Sequence, residues 1–402
     1  MTEPVTVEVG VRSGDLRGST GTALQAAVDY VAGLGGGVVR VGPGRYRMRN
    51  ALFLRDRVRI VGAPGKTVLR MCPGAASRLR LDGDCNERQV TLADPSQFRP
   101  GDGVSVQDAR GRGGFGLTTA TLLERRGRDA FAISRPLRDD YMVAHQATVR
   151  LVFPVVAGYG VRDASVEHIQ VQGNRGRTQP INGCRGAGIY LFECAGITIR
   201  RCAVDGYNGD GISFQVSHGV TVERCRVEGC RGTGLHPGSG SQRPVLRGNR
   251  ARRNDGDGLF VCWRVKHGVF EENVLERNAR DGLSIGHKDT DNVFRRNRIV
   301  RNRGDGLRFR DESAPMAAHR NRFEDNEILD NGATGERDGD VQIRILGSTR
   351  DLVFRKNRIG HTAGNPRGVG VLIGERVQGL TLKDNAFLRV DKERDEARAK
   401  AR

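Results

Sequence analysis

A short phrase returns at a nearly constant spacing, and it constrains the fold of this 402-residue chain more than any other feature. Each copy starts with Gly followed by Ile or Leu, and the first five steps between copies are 23, 23, 24, 24 and 24 residues. The copies start at Gly188, Gly211, Gly234, Gly258, Gly282 and Gly306, and a degenerate copy starts at Asp340 after a longer step of 34 residues. A fixed period in this range is typical of a solenoid, in which each repeat packs on its neighbours.

The repeat is predicted to consist of strands. Apolar residues alternate after each Gly, as in Ile212 and Phe214, which indicates a strand with one buried face. A second strand is followed by a polar column formed by Cys202, Cys225, Asn249, Asn273, Asn297, Asn326, Asn357 and Asn385. Inward Asn side chains in coils stacked about 4.8 Å apart can hydrogen-bond along such a column. The spacing of leucine-rich repeats is absent, so the pattern predicts an all-β chain folded as a right-handed parallel β-helix.

With these features the chain resembles the pectate-lyase-like superfamily of β-helix proteins. Its start resembles the capping segment of that superfamily, with an amphipathic helix from Thr22 followed by a strand at 38–41 and a turn at 42–44. The resemblance implies carbohydrate-active chemistry on an outer sheet face. It does not extend to the polygalacturonase motifs Asn-Thr-Asp, Asp-Asp, Gly-His-Gly and Arg-Ile-Lys, or to the Asp-Pro-His signature of mannuronan epimerases. The resemblance is therefore specific for the fold and not for one activity.

Loss and return of the period divide the chain into four parts. Residues 1–86 are predicted to form the cap and first coils, 87–150 an inserted small β module, 151–390 the main coils, and 391–402 a charged tail that is helical or disordered. The helix, expected at 22–34, plugs the open end of the solenoid. The module either walls one end of a binding groove or is an insertion without a role.

Composition limits the class of partner. The net charge is +19, and 59 of the 66 basic residues are Arg. Guanidinium groups favour an anionic partner, although a solvated Arg-rich surface explains the same excess equally well. Aromatic residues make up 5% of the chain and no nucleic-acid-binding module is recognisable, which argues against nucleic acid.

No apolar run is long enough to cross a membrane, and no signal peptide is found, so a cytoplasmic location is expected unless the sequence is trimmed. Lateral association into a homo-oligomer is a further expectation.

Stacking brings residues that are distant in sequence onto one patch of the outer sheet face. The expected catalytic residues are His287, His236, Asp289, Asp311, Glu312 and Lys288, and the expected substrate-binding residues are Trp263, Arg264, Arg308, Arg310, Arg344 and Gln342. This patch holds the only Trp of the chain. An aromatic face with a few convergent polar groups is a suitable platform for a sugar.

The favoured function is a lyase that acts by β-elimination on an anionic, uronate-containing polysaccharide or oligosaccharide. This reaction needs a base, for which His287 or His236 is suited, and cations that stabilise the enolate. The alternatives are a glycoside hydrolase that uses Asp289, Asp311 or Glu312, a C5-epimerase, and a glycan-binding solenoid without activity. His287 is expected to matter most, because its register places it between Trp263 and Asp311.

Two further hypotheses concern carboxylates. Asp210, Asp257, Asp281, Asp305 and Asp340 stand directly before the phrase, which favours a turn-forming role and leaves a paired-carboxylate hydrolase as the alternative. No cofactor is expected, but Asp289 and Asp291 with Asp311 or Glu312 can be imagined around calcium, and His236 with His287 around a transition metal.

Overall fold

The chain winds into a right-handed parallel β-helix in the computed structural model, which describes residues 5–111, 114–177, 180–332 and 340–397. Each coil gives one strand to each of three parallel sheets, here called sheets I, II and III in the order in which the chain reaches them from Gly188. Successive coils pair in register, so that Ile189 lies beside Ile212, and Ile212 beside Leu235. The predicted fold is confirmed.

The strands of the three sheets are short and are joined by tight turns. Sheet I contains Leu52–Phe53, Val156–Tyr159, Ala187–Phe192, Asp210–Gln215, Leu235–Gly238, Leu259–Phe260, Leu283–Ile285, Leu307–Phe309, Val341–Ile345, Val369–Gly374 and Lys392–Ala397. Sheet II contains Thr6–Gly10, Leu16–Arg17, Gly37–Val41, Val58–Gly62, Ser165–Glu167, Thr198–Arg200, Thr221–Glu223, Val245–Arg247, Val269–Glu271, Val293–Arg295, Arg322–Glu324, Val353–Arg355 and Thr381–Lys383. Sheet III contains Gly44–Met48, Thr67–Met71, Gln170–Gln172, Ala203–Asp205, Arg226–Glu228, Arg250–Arg252, Val274–Glu276, Arg298–Val300, Glu327–Leu329, Arg358–Gly360 and Ala386–Leu388.

The interior of the solenoid is held by ladders of identical side chains. The amide Nδ2 of Asn249 donates to Oδ1 of Asn273 at 3.0 Å, and the same contact repeats coil by coil to Asn385. Buried Phe side chains stack along the axis, with 4.6 Å between the ring centroids of Phe270 and Phe294. Because each Asn amide of this column from Asn249 to Asn357 finds a partner in the next coil, the predicted polar column stabilises the stack instead of costing free energy.

A single α-helix, Gly21–Gly33, covers the N-terminal end of the solenoid within the described residues. It buries Leu24, Ala27, Val28 and Val31 against the first coils. The position agrees with the predicted cap at 22–34. Short 3-10 helices lie at Val143–His145 and Ala314–Met316.

The inserted module is a six-stranded antiparallel sheet. Its strands are Ala76–Arg78, Gln89–Thr91, Gly103–Gln107, Leu117–Arg126, Ala130–Ile133 and Thr148–Arg150. The module therefore begins at Ala76, before the predicted boundary at residue 87. The sequence gives no signal that Ala76–Arg78 belongs to the module, because the partner strand Thr148–Arg150 lies at the far end of the insertion.

The charged tail differs from its prediction. Lys392–Ala397 is a strand that pairs with Val369–Gly374, so helix or disorder is wrong for this part, while residues 398–402 lie outside the described residues. The physical reason is the open edge of the last coil, whose unpaired backbone groups accept one more strand.

Many Arg side chains are neutralised by carboxylates of the same or adjacent coils. Arg226 lies 2.6 Å from Asp205 in the preceding coil, and Arg250 lies 2.5 Å from Glu276 in the following one. Part of the Arg excess therefore stabilises the outer faces of the sheets. In the described ranges, none of the helices combines the length and apolar character that a membrane span requires.

Candidate functional site

The outer surface of sheet I from Asp210 to Arg344, together with the turn after each strand, is here called the front face. Its central column consists of Ser213, His236, Phe260, Ser284, Arg308 and Arg344, each beside the next in register. The sequence predicts Gln342 on this outer face as a substrate-binding residue, and that placement is wrong. The insertion before this coil shifts the register by two residues, so Arg344 lies beside Arg308, and the Gln342 amide donates to the Asn331 carbonyl in the interior.

A His–Asp pair occupies the start of the column. Nδ1 of His236 lies 2.7 Å from Oδ2 of Asp210 in the preceding coil, and both residues are buried. The other carboxylate oxygen, Oδ1, accepts the backbone N–H of Thr233 at 2.8 Å, which fixes its direction. Nε2 of His236 has no hydrogen-bond partner among the described residues. The carboxylate thus orients an imidazole whose second nitrogen is free.

A loop covers this pair on one side. Residues 181–186, here called the roof loop, cross the outer side of sheet I, where the Ser213 hydroxyl donates to the Gly183 carbonyl at 2.7 Å. An added Cβ at Gly183 would lie 1.8 Å from Oδ2 of Asp210, so glycine is required for this close approach. On the other side the ring of Phe260 meets the ring of His236 edge to face, with 5.1 Å between centroids. His236 is consequently only 4% exposed.

The aspartates before the phrase form a second ladder. Oδ1 of Asp257 accepts the backbone N–H of Asp281 at 3.0 Å, and Oδ1 of Asp281 accepts that of Asp305 at 2.9 Å. These contacts are those expected of a backbone-binding role. Burial raises the pKa of Asp257 to about 7, and the carboxylate of Asp281 acts in the same direction. Asp340 stands outside this ladder, since the register shift brings it to His361 and Arg367 instead.

Three arginines cross the far half of the front face. Arg344 is buried, and its Nε lies 2.7 Å from Oδ2 of Asp305, whereas Arg308 approaches the same oxygen only to 3.7 Å and stays partly exposed. The side chain of Arg310 reaches across the two preceding coils, where it donates to Oγ of Ser284 at 3.0 Å and to the Val261 carbonyl at 2.8 Å. Its Cζ atom lies 4.6 Å from the ring centroid of Phe260. Arg308 and Arg310 are thus the cations available to a ligand near Phe260.

Asp289 lies beneath this surface. It is fully buried, and its carboxylate accepts the backbone N–H groups of Val265 at 2.9 Å and Gly286 at 3.2 Å. Its Oδ2 also lies 3.3 Å from Nη2 of Arg310. Burial raises its pKa to about 7. The direct contact with substrate predicted for Asp289 does not fit this position, because the carboxylate faces the backbone and can act only by holding Arg310 in place.

A second His–carboxylate pair lies in the turns that follow the strands. Nε2 of His287 is 2.7 Å from Oε1 of Glu312, and its ring stacks on Trp263 with 4.9 Å between centroids. Nδ1 of His287 faces Sγ of Cys262 at 3.7 Å, so both ring nitrogens are occupied. Trp263, His287 and Glu312 are here called the turn cluster. Asp311, the predicted neighbour of His287, pairs instead with Arg376.

Burial sets the charges in the turn cluster. It lowers the pKa of His287 to about 4, with Arg310 acting in the same direction, and it raises the pKa of Glu312. At neutral pH the imidazole is therefore uncharged and can donate Nε2–H to the carboxylate of Glu312.

Arg264 and Lys288 border the turn cluster, as their register predicts. Both backbones are left-handed, with φ of 67° and 65°, and the N–H of Arg264 donates to the His287 carbonyl at 2.8 Å. Neither side chain makes an ion pair within the described ranges. They therefore leave positive charge at the edge of the cluster.

The carboxylates proposed for calcium do not converge. Asp289 lies beside Arg310, Asp291 beside Arg320, Asp311 beside Arg376, and Glu312 beside His287. His236 and His287 likewise have separate partners. The part of the chain that the structure describes contains no group of three or more His, Cys, Asp or Glu side chains that could hold a metal ion.

Sequence reasoning named both histidines but missed the contacts that distinguish them. The register contained a signal for the Asp210–His236 pair only in that the two residues stand in adjacent coils. The roof loop was signalled only by a long segment without periodicity between Gln172 and Ala187.

Comparison with known proteins agrees with the fold. A family described as "Right handed beta helix region" matches residues 156–316. The A-modules of the mannuronan C-5 epimerases AlgE4 and AlgE6 of Azotobacter vinelandii are similar in structure, each with a TM-score of 0.58 and 15% identity over 96% of this chain, and over 97% and 95% of their own. The Dettilon tailspike protein gp208 has a TM-score of 0.51 and 12% identity over 94% of this chain and 68% of its own. A search of curated proteins finds no match. At these identities the similarity shows the fold alone.

Proposed function

We propose that this protein is a carbohydrate-active enzyme that abstracts the proton α to the carboxylate of a uronate residue, with β-elimination as the outcome. The observation that carries the proposal is the Asp210–His236 pair, in which the carboxylate holds Nδ1 and Nε2 is left without a partner. Two proteins that share the fold are named mannuronan C-5 epimerases, which supports a glycan as the ligand.

In this proposal His236 is the general base. A neutral imidazole takes the proton at Nε2 while Nδ1–H donates to Asp210, and the carboxylate then stabilises the imidazolium that forms. The electron pair of the broken C–H bond becomes part of the enolate. As the bond to the leaving glycosidic oxygen breaks, a C=C double bond forms, and the oxygen takes up a proton from water.

Arg308 and Arg310 supply the positive charge that this step needs. The enolate carries more negative charge on the carboxylate oxygens than the ground state does, and fixed guanidinium groups stabilise it without reorganisation. Arg310 is held over Phe260 by Ser284 and Asp289, so its position is set before a substrate arrives. Trp263 offers a partly exposed aromatic ring for a neighbouring sugar.

Access to Nε2 requires movement of the roof loop. His236 is covered by Gly183 on one side and by Phe260 on the other, so a sugar that reaches the imidazole must displace residues 181–186. Exclusion of water around the base then strengthens the electrostatic contacts in the site.

A second candidate function is glycoside hydrolysis by Asp257 and Asp281. It is favoured by the raised pKa of Asp257, which keeps that carboxyl protonated up to about pH 7 beside a second carboxylate. A hydrolase needs one protonated acid and one carboxylate near the scissile bond.

An epimerase is a further alternative. It shares the proton abstraction by His236 and differs in returning a proton to the opposite face of the sugar.

Incubation with a panel of polyuronides tests these functions. Elimination gives unsaturated products that absorb in the ultraviolet, hydrolysis gives reducing ends without that absorbance, and epimerisation changes the C5 configuration seen by NMR. The proposal expects unsaturated products whose formation is lost in His236→Ala. Binding without turnover, or turnover that survives His236→Ala, contradicts it.

A further inference from the structure

A cleft lies between the inserted module and the first coils of the solenoid. It is a cavity of about 310 Å³, at the lower end of the range of ligand pockets. Phe53 and Tyr159 of sheet I line one side, while Thr119, Thr121, Ser134 and Arg135 of the module line the other. These six residues define what is here called the module cleft.

Arg135 occupies an unusual position in this cleft. Its Cζ atom lies 3.4 Å from the ring centroid of Tyr159, so the guanidinium rests on the face of the ring. Within the described part of the chain its side chain makes no hydrogen bond and no ion pair. By contrast, Arg55 at the rim lies 2.8 Å from Asp29, and Arg49 in the neighbouring groove is bound to Asp102 by two contacts of 2.6 Å.

Stacking on an aromatic ring prepares a guanidinium for an anion. The contact fixes the plane of the group, so less conformational entropy is lost when the free N–H edge binds a carboxylate through two parallel hydrogen bonds. Thr119 and Ser134 lie in the same lining. The Ser134 hydroxyl accepts the backbone N–H of Thr121 at 2.9 Å, and the Thr121 hydroxyl accepts from Nδ2 of Asn50 at 2.9 Å. An apolar ring face, a guanidinium and several hydroxyls together match a sugar that carries a carboxylate.

We propose that the module cleft is a second binding site that takes a uronate residue of the glycan. The identity of this sugar rests on the function proposed above, whereas the selection of a carboxylate rests on Arg135. The apolar face of the pyranose packs on Phe53, and its carboxylate binds the free edge of Arg135, which stays stacked on Tyr159. The site anchors the glycan and takes no part in the reaction.

The position of the cleft implies a substrate of several sugars. The coil of Tyr159 is separated from the coil of His236 by three strand spacings, or about 14 Å. The roof loop covers Tyr190 and Ser213 between them. A glycan that fills both sites must therefore span about 14 Å, including the region from which residues 181–186 are displaced, which a single sugar cannot do.

Isothermal titration calorimetry with sodium glucuronate tests the site directly. The wild-type protein is compared with Arg135→Gln and with Arg128→Gln, a matched control that removes an exposed arginine from the same module outside the cleft. We expect Arg135→Gln to weaken one class of sites by at least about tenfold, and Arg128→Gln to leave it unchanged. Uncharged methyl glucoside should bind that class at least about tenfold more weakly than glucuronate does. Equal binding of both ligands, equal affinity in Arg135→Gln, or no binding of glucuronate by the wild type overturns the proposal.

Two further variants keep this test separate from the proposed function. Arg308→Gln removes a front-face cation and should leave the Arg135-dependent class intact, and Arg135→Lys keeps the charge without the planar stack and should bind more weakly than the wild type. If the protein turns over none of the polyuronides but still shows Arg135-dependent binding of glucuronate, the proposed function is wrong and the proposed binding site is retained. If turnover depends on His236 but glucuronate binding does not depend on Arg135, the proposed binding site is wrong and the proposed function is retained. With both correct, Arg135→Gln raises KM for long oligouronides and leaves KM for the shortest cleaved one unchanged.

Discussion

The Asp210–His236 and His287–Glu312 pairs lie on the same face of this β-helix, and they differ in whether a ring nitrogen is left free. His236 is held by Asp210 at Nδ1 and has an unpartnered Nε2, but it is buried under the roof loop. His287 is partly exposed, but Nε2 meets Glu312 and Nδ1 faces Cys262. A neighbouring carboxylate makes an imidazole a base only when the other nitrogen can reach a substrate. On this ground His236 is suited to catalysis once residues 181–186 move aside, and His287 to bracing Trp263.

The largest effect is expected from His236→Ala. A general base contributes about 10²–10⁴-fold to rate, so the turnover number on the cleaved polyuronide should fall by that factor. Circular dichroism and the melting temperature check that the variant folds, and His287→Ala is the matched control. A His236→Ala variant with wild-type turnover assigns the chemistry to another residue.

Asp210→Asn tests whether the Asp210 carboxylate contributes to catalysis by orienting His236 and stabilising its charged form. Asn can still accept the backbone N–H of Thr233, but it removes the charge that stabilises the imidazolium. We expect turnover to fall at least about tenfold and less than in His236→Ala, with a changed pH profile of kcat/KM. An unchanged profile would mean that Asp210 has only a structural role.

Asp281→Ala tests whether the aspartate ladder is structural. Loss of the acceptor for the Asp305 N–H should lower the free energy of unfolding by about 1–3 kcal/mol, measured by urea denaturation. Activity per folded molecule should remain, because the ladder lies outside the proposed chemistry. A folded but inactive variant would favour the hydrolase built on Asp257 and Asp281.

His287→Ala is expected to act mainly on binding. It removes the stack on Trp263 and the partner of Glu312, and an aromatic contact of this kind is worth about 0.5–1.5 kcal/mol. KM should rise roughly two- to tenfold with little change in kcat. A loss of kcat that exceeds that of His236→Ala would reverse the comparison, and would agree with the sequence-based prediction that His287 matters most.

The smallest expected effect is the contribution of Asp257 to the pH dependence of the free energy of unfolding. Its ordinary pKa is 3.8, and burial raises the folded value to about 7. Between these values the unfolded chain has released the proton while the folded chain keeps it, so the free energy of unfolding from this group falls as pH rises from about 4 to about 7. Asp257→Asn should remove that decline in urea denaturation measured across this range. Parallel curves for variant and wild type would contradict the raised pKa.

The regular part of the molecule could be predicted from the sequence because the repeat fixes the register. The inward Asn column, and the neighbours Trp263 and His287, follow from counting one coil. Gln342 could not be placed in this way, since an insertion of unknown path precedes it. Glu312, instead of Asp311, reaches His287, because the turns have left-handed residues such as His287 itself, with φ of 46°, which redirect side chains.

The roof loop and the crossing of Arg310 were beyond sequence reasoning for other reasons. The crossing of Arg310 depends on the path of a long side chain across neighbouring coils, which the register does not fix. The roof loop depends on contacts between segments with no shared period, such as Gly183 against Asp210. The module cleft belongs to the same class, since Arg135 meets Tyr159 only after an antiparallel sheet has folded onto parallel coils.

Chemical rescue is the most direct test that His236 is the base. His236→Ala leaves a space where the imidazole ring stood, next to Asp210, and imidazole added to the assay can occupy it. The account predicts that turnover of the polyuronide by His236→Ala rises with imidazole concentration, while His287→Ala shows no such rise. Rescue of His287→Ala and not of His236→Ala would contradict it.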